Sequence, residues 1–285
     1  MSAWLVTGAS GMLGGEVVSL LAAEGETVTG LDHAGLDVTD GDAVRATLRA
    51  VRPDVVVNCA GWTAVDAAEE HEEEALRVNG DGARNLALAC AAIGARLVQV
   101  STDYVFDGTA REPYAEDAPP GPIGAYGRTK LAGERAVLAE LPSAAYVVRT
   151  AWLYGRGGPN FVATMLRLER EREKVEVVVD QRGQPTWTRD VAGRVLALVR
   201  SGAEPGIYHA TSSGQTTWWG LAREIFQLLG ADEQRVLPTT ADRFARPAPR
   251  PAYGVLGHGC WERAGLEPIR DWRAALRAAL LDGLG

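Results

Sequence analysis

The sequence has few cysteines, fewer basic than acidic residues and no long apolar segment. Its three cysteines, Cys59, Cys90 and Cys260, are too scattered for a disulfide framework or a zinc site. The 29 Lys and Arg residues against 37 Asp and Glu give a net charge of −8. Because nucleic acids and anionic membranes bind basic surfaces, neither is expected as a general partner.

No stretch approaches the roughly 20 consecutive apolar residues that a membrane-spanning helix needs. The amino-terminal residues also lack the basic region of a signal peptide. We therefore expect a cytoplasmic protein that makes no membrane contact. Hydrophobic residues make up 46% of the 285, and a chain of this length buries about 73% of its unfolded surface. The length predicts one large or two medium domains.

Short apolar runs alternate with segments of helical spacing, most regularly in the first half. Continuous runs of Val, Leu and Ile between helices are typical of a parallel sheet covered on both faces. The alternation predicts an α/β fold with a doubly wound parallel sheet. The predicted strands are Ala3–Thr7, Thr27–Leu31, Val55–Asn58, Arg96–Val100 and Tyr146–Thr150, and the predicted helices include Met12–Leu21, Asp42–Val51 and Ala125–Glu140.

The acidic run Glu69–Glu74, which His71 interrupts, could suggest a metal site. Hard cations prefer spaced oxygen ligands from loops, so a solvated helix face is the better interpretation. The four histidines, His33, His71, His209 and His258, show no ligand spacing. We predict no metal site and expect these histidines to be structural.

Three glycines, Gly8, Gly11 and Gly14, lie between the first predicted strand and the first predicted helix. Glycines at such a turn let the backbone approach a pyrophosphate, which the unpaired N–H groups of the helix can bind. Asp32 ends the second strand, where a carboxylate would accept hydrogen bonds from the ribose of an adenine nucleotide. The pattern predicts a Rossmann-type fold with a bound dinucleotide. Residues 1–150 would form the dinucleotide-binding domain, and 151–285 a smaller, mainly substrate-binding region with segments that return to the sheet.

Tyr126 lies four residues before Lys130, which is one of two lysines in the chain. On a helix the two share a face, so the ammonium group can favour the phenolate and lower the pKa of Tyr126. Tyr126 would then be a proton donor near neutral pH. Thr102, just past the fourth predicted strand, could donate to a substrate carbonyl oxygen, or could simply cap the strand end. The loose glycine triplet and the Tyr–Lys pair resemble the short-chain dehydrogenase/reductase superfamily.

Longer strings are similar to one family of extended short-chain reductases, the dTDP-4-dehydrorhamnose reductases. They include the segments 101–108 (STDYVFDG), 125–134 (AYGRTKLAGE) and 180–186 (DQRGQPT) and the pair Arg250-Pro251. The resemblance implies that the cofactor contacts Gly11, Met12, Leu13, Asp32, Asp37, Val38, Gly61, Trp62, Thr63, Tyr126 and Lys130. It implies that Thr102, Asp103 and Trp152 contact the nucleotide-sugar, while Arg182 and Arg250 are candidates to bind its diphosphate.

The implied reaction is hydride transfer from NADH or NADPH to the C4 keto group of a dTDP-4-keto-6-deoxy-L-sugar. The expected conversion is of dTDP-4-dehydro-L-rhamnose to dTDP-L-rhamnose, by a monomer or homodimer. Asp32 would repel a 2′-phosphate, so NADH should serve at least as well as NADPH. Some similar enzymes dimerise through a metal, which we do not expect because Asp271 is the only acid in the predicted helix Asp271–Leu281. Similar enzymes often have a serine where this chain has Gly254.

Three alternatives remain open. The first is a related 4-ketoreductase that makes another deoxysugar for a natural product. The second is a nucleotide-sugar dehydratase or epimerase, although dehydratases of this type have an Asp-Glu pair where this chain has Asp103-Tyr104. The third is a non-catalytic NAD(P)-binding regulatory subunit, against which the retention of Thr102, Tyr126 and Lys130 argues.

Overall fold

The computed structural model describes residues 2–244 and 246–284, and its centre is a six-stranded parallel sheet. The strands lie in the order β2-β1-β3-β4-β5-β10, and every neighbouring pair is parallel. This confirms the predicted doubly wound α/β fold. The sheet strands are β1 (Ala3–Thr7), β2 (Thr27–Leu31), β3 (Val55–Asn58), β4 (Arg96–Thr102), β5 (Ala145–Thr150) and β10 (Gly206–His209).

Helices cover both faces of the sheet, which is why its central strands are apolar on both sides. One face packs against α1 (Met12–Ala23), α8 (Thr188–Ser201) and α10 (Gly259–Arg263). The other face packs against α2 (Gly41–Val51), α5 (Gly82–Ile93) and α6 (Ala125–Glu140). Helix α8 and strand β10 both come from the second half of the chain, so the sheet layer combines both halves.

A third core lies beyond the sheet and is built from the second half of the chain. Buried side chains such as Leu166, Phe226 and Leu276 join its helices. The elements that contribute to it are β6 (Leu153–Tyr154), α7 (Phe161–Glu171), β7 (Val175–Val178), β9 (Thr186–Trp187), α9 (Trp218–Leu228), β13 (Val236–Thr239) and α11 (Trp272–Ala279). The second half of the chain also contains the short strands β8 (Arg182–Gly183), β11 (Ser212–Ser213), β12 (Thr216–Thr217) and β14 (Ile269–Asp271).

Strand β4 is two residues longer than predicted and ends at Thr102, which pairs with Thr150 of β5. Thr102 also caps the short 3₁₀ turn Asp103–Val105, because its hydroxyl oxygen accepts a hydrogen bond from Tyr104 N at 3.2 Å. The hydroxyl therefore has a capping role and still lies at the carboxyl end of the sheet. The carboxyl-terminal helix begins one residue later than predicted, since α11 begins after Asp271, whose side chain caps it. A π-helical turn over Leu280–Leu284 follows α11 directly.

The acidic run does not form a purely solvated helix face. It follows α3 (Val65–Ala68), which Glu69 ends, and its last three residues begin α4 (Glu72–Leu76). A π-helical turn connects α4 to α5. Glu69 Oε1 accepts a hydrogen bond from Ala125 N at 2.8 Å, at the start of α6. Glu72 binds Arg128 of α6 through two hydrogen bonds of 2.7 Å. The solvated-face prediction is wrong for Glu69, which lies outside a helix and attaches to α6. Glu72 lies in a helix and stays 42% exposed in its ion pair.

Within residues 2–244 and 246–284, no helix combines the length and apolar composition needed to cross a membrane. The same residues contain no group of three or more His, Cys, Asp or Glu side chains arranged to hold a metal ion.

Candidate active site

A cavity of about 1030 Å³ opens at the carboxyl ends of the sheet strands. This is the edge at which open α/β sheets bind ligands. Fifteen of the residues predicted to bind cofactor or substrate line it: Gly8, Gly11, Met12, Leu13, Gly14, Asp37, Val38, Gly61, Trp62, Thr63, Thr102, Asp103, Tyr126, Lys130 and Trp152.

The glycine-rich turn has the shape that a dinucleotide needs. Gly8 has a φ of +66°, and an added Cβ would lie 2.7 Å from Ala60 N. A Cβ on Gly14 would overlap the carbonyl oxygen of Gly8. Gly11 precedes α1 and no side chain caps that helix, so its first N–H groups face the cavity without a side-chain partner. A pyrophosphate fits such a helix end, where N–H groups and the helix dipole favour an anion.

Tyr126 and Lys130 lie one turn apart on α6, and both side chains line the cavity. Lys130 is 7% exposed, and its Nζ donates to Val100 O at 2.7 Å. Burial lowers the pKa of Lys130 to about 8, while the nearby Glu134 carboxylate opposes this shift. The pKa of Lys130 therefore lies only slightly above neutral pH, where the ammonium form still predominates.

The predicted lowering of the pKa of Tyr126 is wrong for the protein alone. The residue as a whole is partly buried, but its hydroxyl group is shielded from water. This desolvation raises the pKa of Tyr126, and a hydrogen bond with Thr102 only partly offsets it. The spacing of Tyr126 and Lys130 in the sequence does not reveal this loss of hydration. The phenol consequently keeps its proton at neutral pH.

Asp103 is a buried carboxyl group in the cavity wall, with 3% exposure. Its burial raises its pKa to about 7, although a hydrogen bond from Thr102 Oγ1 at 3.1 Å favours the ionised form. Gly254 lies directly against this carboxyl group, and an added Cβ there would overlap Asp103 Oδ2. The absence of a side chain at position 254 therefore leaves the space that the Asp103 carboxyl group occupies.

The indole of Trp152 forms another part of the cavity wall. It stacks on Trp218, with ring centroids 3.5 Å apart and an interplanar angle of 8°. Its backbone has a φ of +46°, which is uncommon for a bulky residue. Nothing in the local sequence indicated this conformation or the stacking partner.

Three predicted site residues, Asp32, Arg182 and Arg250, do not line the cavity in the described part of the chain. Asp32 follows β2 and its carboxylate accepts a hydrogen bond from Gly35 N at 2.9 Å. Arg182 is exposed on β8. Arg250 binds both carboxylate oxygens of Asp66 and also donates to Ala248 O at 2.7 Å. Its guanidinium is therefore already paired in the protein alone, so its diphosphate contact stays a prediction.

Sequence reasoning missed several cavity residues. His33 and Arg77 line the cavity instead of Asp32 and place basic groups there. The segment Gly157–Pro159 also lines it, close to Met12. Its Gly-Gly-Pro sequence after a short strand was the available signal for a loop near a ligand. Arg77 carried no such signal, because it lies inside a helical stretch.

A Rossmann-type sheet whose ligand edge holds a glycine-rich turn, Thr102, Tyr126 and Lys130 defines an oxidoreductase of the short-chain dehydrogenase/reductase class. The model of the RmlD substrate binding domain family matches residues 2–283. The chain belongs to this family, and the resemblance seen in its sequence strings is confirmed.

Similar proteins are reductases of nucleotide-linked sugars. The chain is 60% identical to a dTDP-4-dehydrorhamnose reductase of Streptomyces griseus, over 96% of this chain and 91% of that protein. It is 56% identical to a dTDP-4-keto-6-deoxy-D-glucose reductase of Streptomyces niveus, over 97% and 96%. The crystal structure of a dTDP-4-dehydrorhamnose reductase from Bacillus anthracis in complex with NADP superposes with a TM-score of 0.94 at 36% identity, covering 99% of each chain.

Proposed function

We propose that this protein is an NAD(P)H-dependent reductase that reduces the C4 keto group of a dTDP-4-keto-6-deoxy-L-sugar. The substrate that its relatives favour is dTDP-4-dehydro-L-rhamnose, which would give dTDP-L-rhamnose. The observation that supports this most strongly is the shared cavity, in which Thr102, Tyr126 and Lys130 lie beside the glycine-rich turn. We also propose that residues 1–150 bind mainly the dinucleotide and 151–285 mainly the sugar.

The glycine-rich turn and the start of α1 would hold the pyrophosphate of NADH or NADPH, whose nicotinamide supplies the hydride. Gly8 and Gly14 leave the space for that approach. Lys130, held by Val100 O, places a cation in the cavity beside the dinucleotide site. His33 and Arg77 line the same cavity, whereas Asp32 does not. Their basic side chains suit the 2′-phosphate that distinguishes NADPH from NADH, so we propose both as cofactors.

Tyr126 would donate the proton to the C4 oxygen. A keto oxygen that becomes an alkoxide during reduction is a far stronger base than the phenolate, so the raised pKa of Tyr126 does not prevent the transfer. It instead keeps the proton on the phenol until that oxygen develops charge. The single hydroxyl proton of Thr102, which is donated to Asp103 in the protein alone, would turn to the same oxygen and stabilise its developing charge.

The test is Tyr126→Phe, with Tyr208→Phe as the matched control because its hydroxyl bonds to Glu204 O away from the cavity. Turnover of dTDP-4-dehydro-L-rhamnose should fall by about 10²-fold or more in the first variant. NADPH binding, measured by cofactor fluorescence, should be unchanged in both. Undiminished turnover by Tyr126→Phe would refute the assigned proton donor.

A related 4-ketoreductase is the second candidate, since two relatives that are named for other substrates are nearly as similar. These are the 56% identical protein of Streptomyces niveus and a probable dTDP-4,6-dihydroxy-2-methyloxan-3-one 4-ketoreductase of Streptomyces antibioticus, which is 55% identical. Comparison of kcat/KM over a panel of dTDP-4-keto sugars distinguishes the candidates. Nicotinamide absorbance that survives desalting would instead favour an epimerase.

We further propose a cytoplasmic monomer or homodimer, to be tested by sedimentation.

A further inference from the structure

Trp152 is held in an unusual conformation at the cavity wall. It lies between β5 and β6 and has a left-handed φ of +46°. For a large side chain this conformation costs free energy, and it persists only where the surroundings determine it. Its carbonyl oxygen accepts a hydrogen bond from Thr186 N at 3.2 Å, so β9 fixes the backbone on one side.

The indole ring of Trp152 is confined by two residues outside the cavity. One face of the ring stacks on Trp218 at 3.5 Å. The other contact is Gly183, where an added Cβ would lie 2.5 Å from Trp152 Cε2 and 2.8 Å from its Nε1. Any larger residue at 183 would force the ring to move. Trp152 lines the cavity, but neither Trp218 nor Gly183 does.

Trp218 and Gly183 are themselves well anchored. Trp218 Nε1 donates to Gln181 Oε1 at 3.2 Å, and Phe161 packs on the ring with centroids 4.6 Å apart. Gly183 pairs with Thr216 in the antiparallel ladder of β8 and β12, directly before the helix that begins at Trp218. The two contacts on Trp152 therefore come from one rigid unit of the second half of the chain.

We infer that Trp218 and Gly183 are positioning residues that fix the indole of Trp152 as a rigid apolar wall against the sugar ring of the substrate. This rests on the proposed function, in which the cavity accepts a nucleotide-linked deoxysugar. Aromatic rings bind the apolar faces of compact ligands best when their own conformation is settled beforehand. The wall would set the affinity for the sugar and leave the affinity for the dinucleotide unaffected.

The experiment compares Trp218→Leu and Gly183→Ala with Trp218→Phe and Trp219→Phe. Trp219 is the matched control, because it is the next residue on α9 and its Nε1 donates to Val236 O away from the cavity. Trp218→Leu and Gly183→Ala should raise the KM for the keto-sugar about tenfold and leave the KM for NADPH within about twofold. Trp218→Phe keeps a flat aromatic ring and should retain most of the affinity for the keto-sugar. Trp219→Phe should leave both KM values unchanged.

Circular dichroism reports the stack directly, since two parallel indoles couple their transitions. The coupled signal should disappear in Trp218→Leu and persist in Trp219→Phe, while an unchanged KM for NADPH shows that both variants fold. Loss of the signal with an unchanged KM for the keto-sugar would overturn the inference. So would a KM for NADPH that rises in parallel with the KM for the sugar.

Binding of dTDP-L-rhamnose, measured by calorimetry, separates this inference from the proposed function. Wild-type protein that binds the nucleotide-sugar and does not reduce the keto-sugar would refute the reductase alone. Trp218→Leu protein that binds dTDP-L-rhamnose as tightly as wild type would refute the positioning role alone. Wild-type protein that does not bind it would refute both.

Discussion

Glu134 and Arg149 form a bidentate ion pair inside the protein, with Nε–Oε1 and Nη2–Oε2 distances of 2.9 and 2.7 Å. Each side chain is only 2% exposed. Glu134 lies on α6, one turn past Lys130, and Arg149 lies on β5. The guanidinium of Arg149 also lies over the ring of Phe106, 5.0 Å from its centroid. The pair therefore connects the helix that carries Tyr126 to the sheet.

Arg149→Met should destabilise the protein strongly, because it leaves the Glu134 carboxylate buried without its partner. The expected loss in the free energy of unfolding is about 3–5 kcal/mol, measured by urea denaturation. Arg200→Met is the control, since Arg200 forms comparable bonds with Glu24 and Glu26 at the surface. That loss should be much smaller, because water screens the exposed Arg200 pairs. Equal losses in the two variants would contradict the structural role of the buried pair.

Gly14→Ala should abolish dinucleotide binding, because the new Cβ overlaps the carbonyl oxygen of Gly8. The turn that approaches the pyrophosphate would have to open. We expect the Kd for NADPH to rise at least about tenfold, measured by fluorescence titration. Gly193→Ala in helix α8 is the control, since a Cβ there meets no atom within 4 Å. Tight NADPH binding by Gly14→Ala would show that the dinucleotide lies elsewhere.

Activity should fall as the pH rises through about 8, the value to which burial lowers the pKa of Lys130. The ammonium form predominates below that pH, and the neutral amine above it no longer supplies a cation beside the dinucleotide site. The measurement is kcat/KM against pH. Lys130→Met should lose activity at all pH values and lack this alkaline limb. Lys174→Met changes the other lysine, which is exposed, and should reproduce the wild-type profile.

Asp103→Asn should change how stability depends on pH. Burial raises the pKa of Asp103 to about 7 in the folded protein from an ordinary value of 3.8. The contribution of Asp103 to the stability of the wild type is therefore complete below pH 3.8 and is lost as the pH rises through 7, when the buried carboxyl must ionise. The amide cannot ionise, so relative to wild type the variant should gain up to roughly 4 kcal/mol between pH 4 and 8.

Asp107→Asn supplies a comparison of opposite sign. Hydrogen bonds from Thr109 and Tyr114 lower the pKa of the Asp107 carboxyl, so its contribution to stability is lost as the pH falls. Urea titrations of both variants across the same pH series test the two directions together. A pH-independent difference between Asp103→Asn and wild type would show that the carboxyl group is hydrated.

Local signals in the sequence predicted the elements that carry the site. Helix α6 has its predicted bounds, because prolines and glycines of the preceding loop end there and regular helical spacing begins. Strands β1 and β3 also match, since continuous apolar runs identify strands that are buried on both faces. Strand β2 matches its predicted bounds too, although it is a partly exposed edge strand. Fifteen predicted site residues line the cavity because the carboxyl ends of parallel strands meet at one edge.

Contacts between residues far apart in the chain could not be predicted in the same way. Asp66 and Arg250 are 184 residues apart, and no local pattern identifies them as partners. The direction of the pKa of Tyr126 depends on how much water reaches its hydroxyl group, which only the folded cavity determines. The left-handed backbone of Trp152 likewise follows from Thr186, Gly183 and Trp218, none of which lies close to it in sequence.

Strand β10 forms one edge of the central sheet and pairs with β5 from Gly206 beside Tyr146 to His209 beside Arg149. A fragment cut after residue 150 would therefore present β5 as a bare edge, with a row of backbone donors and acceptors that invite pairing between fragments. It would also expose the apolar side of α1 that α8 covers. We therefore expect that the amino-terminal half does not fold stably alone, and that engineered fusions or domain exchanges at residue 150 aggregate.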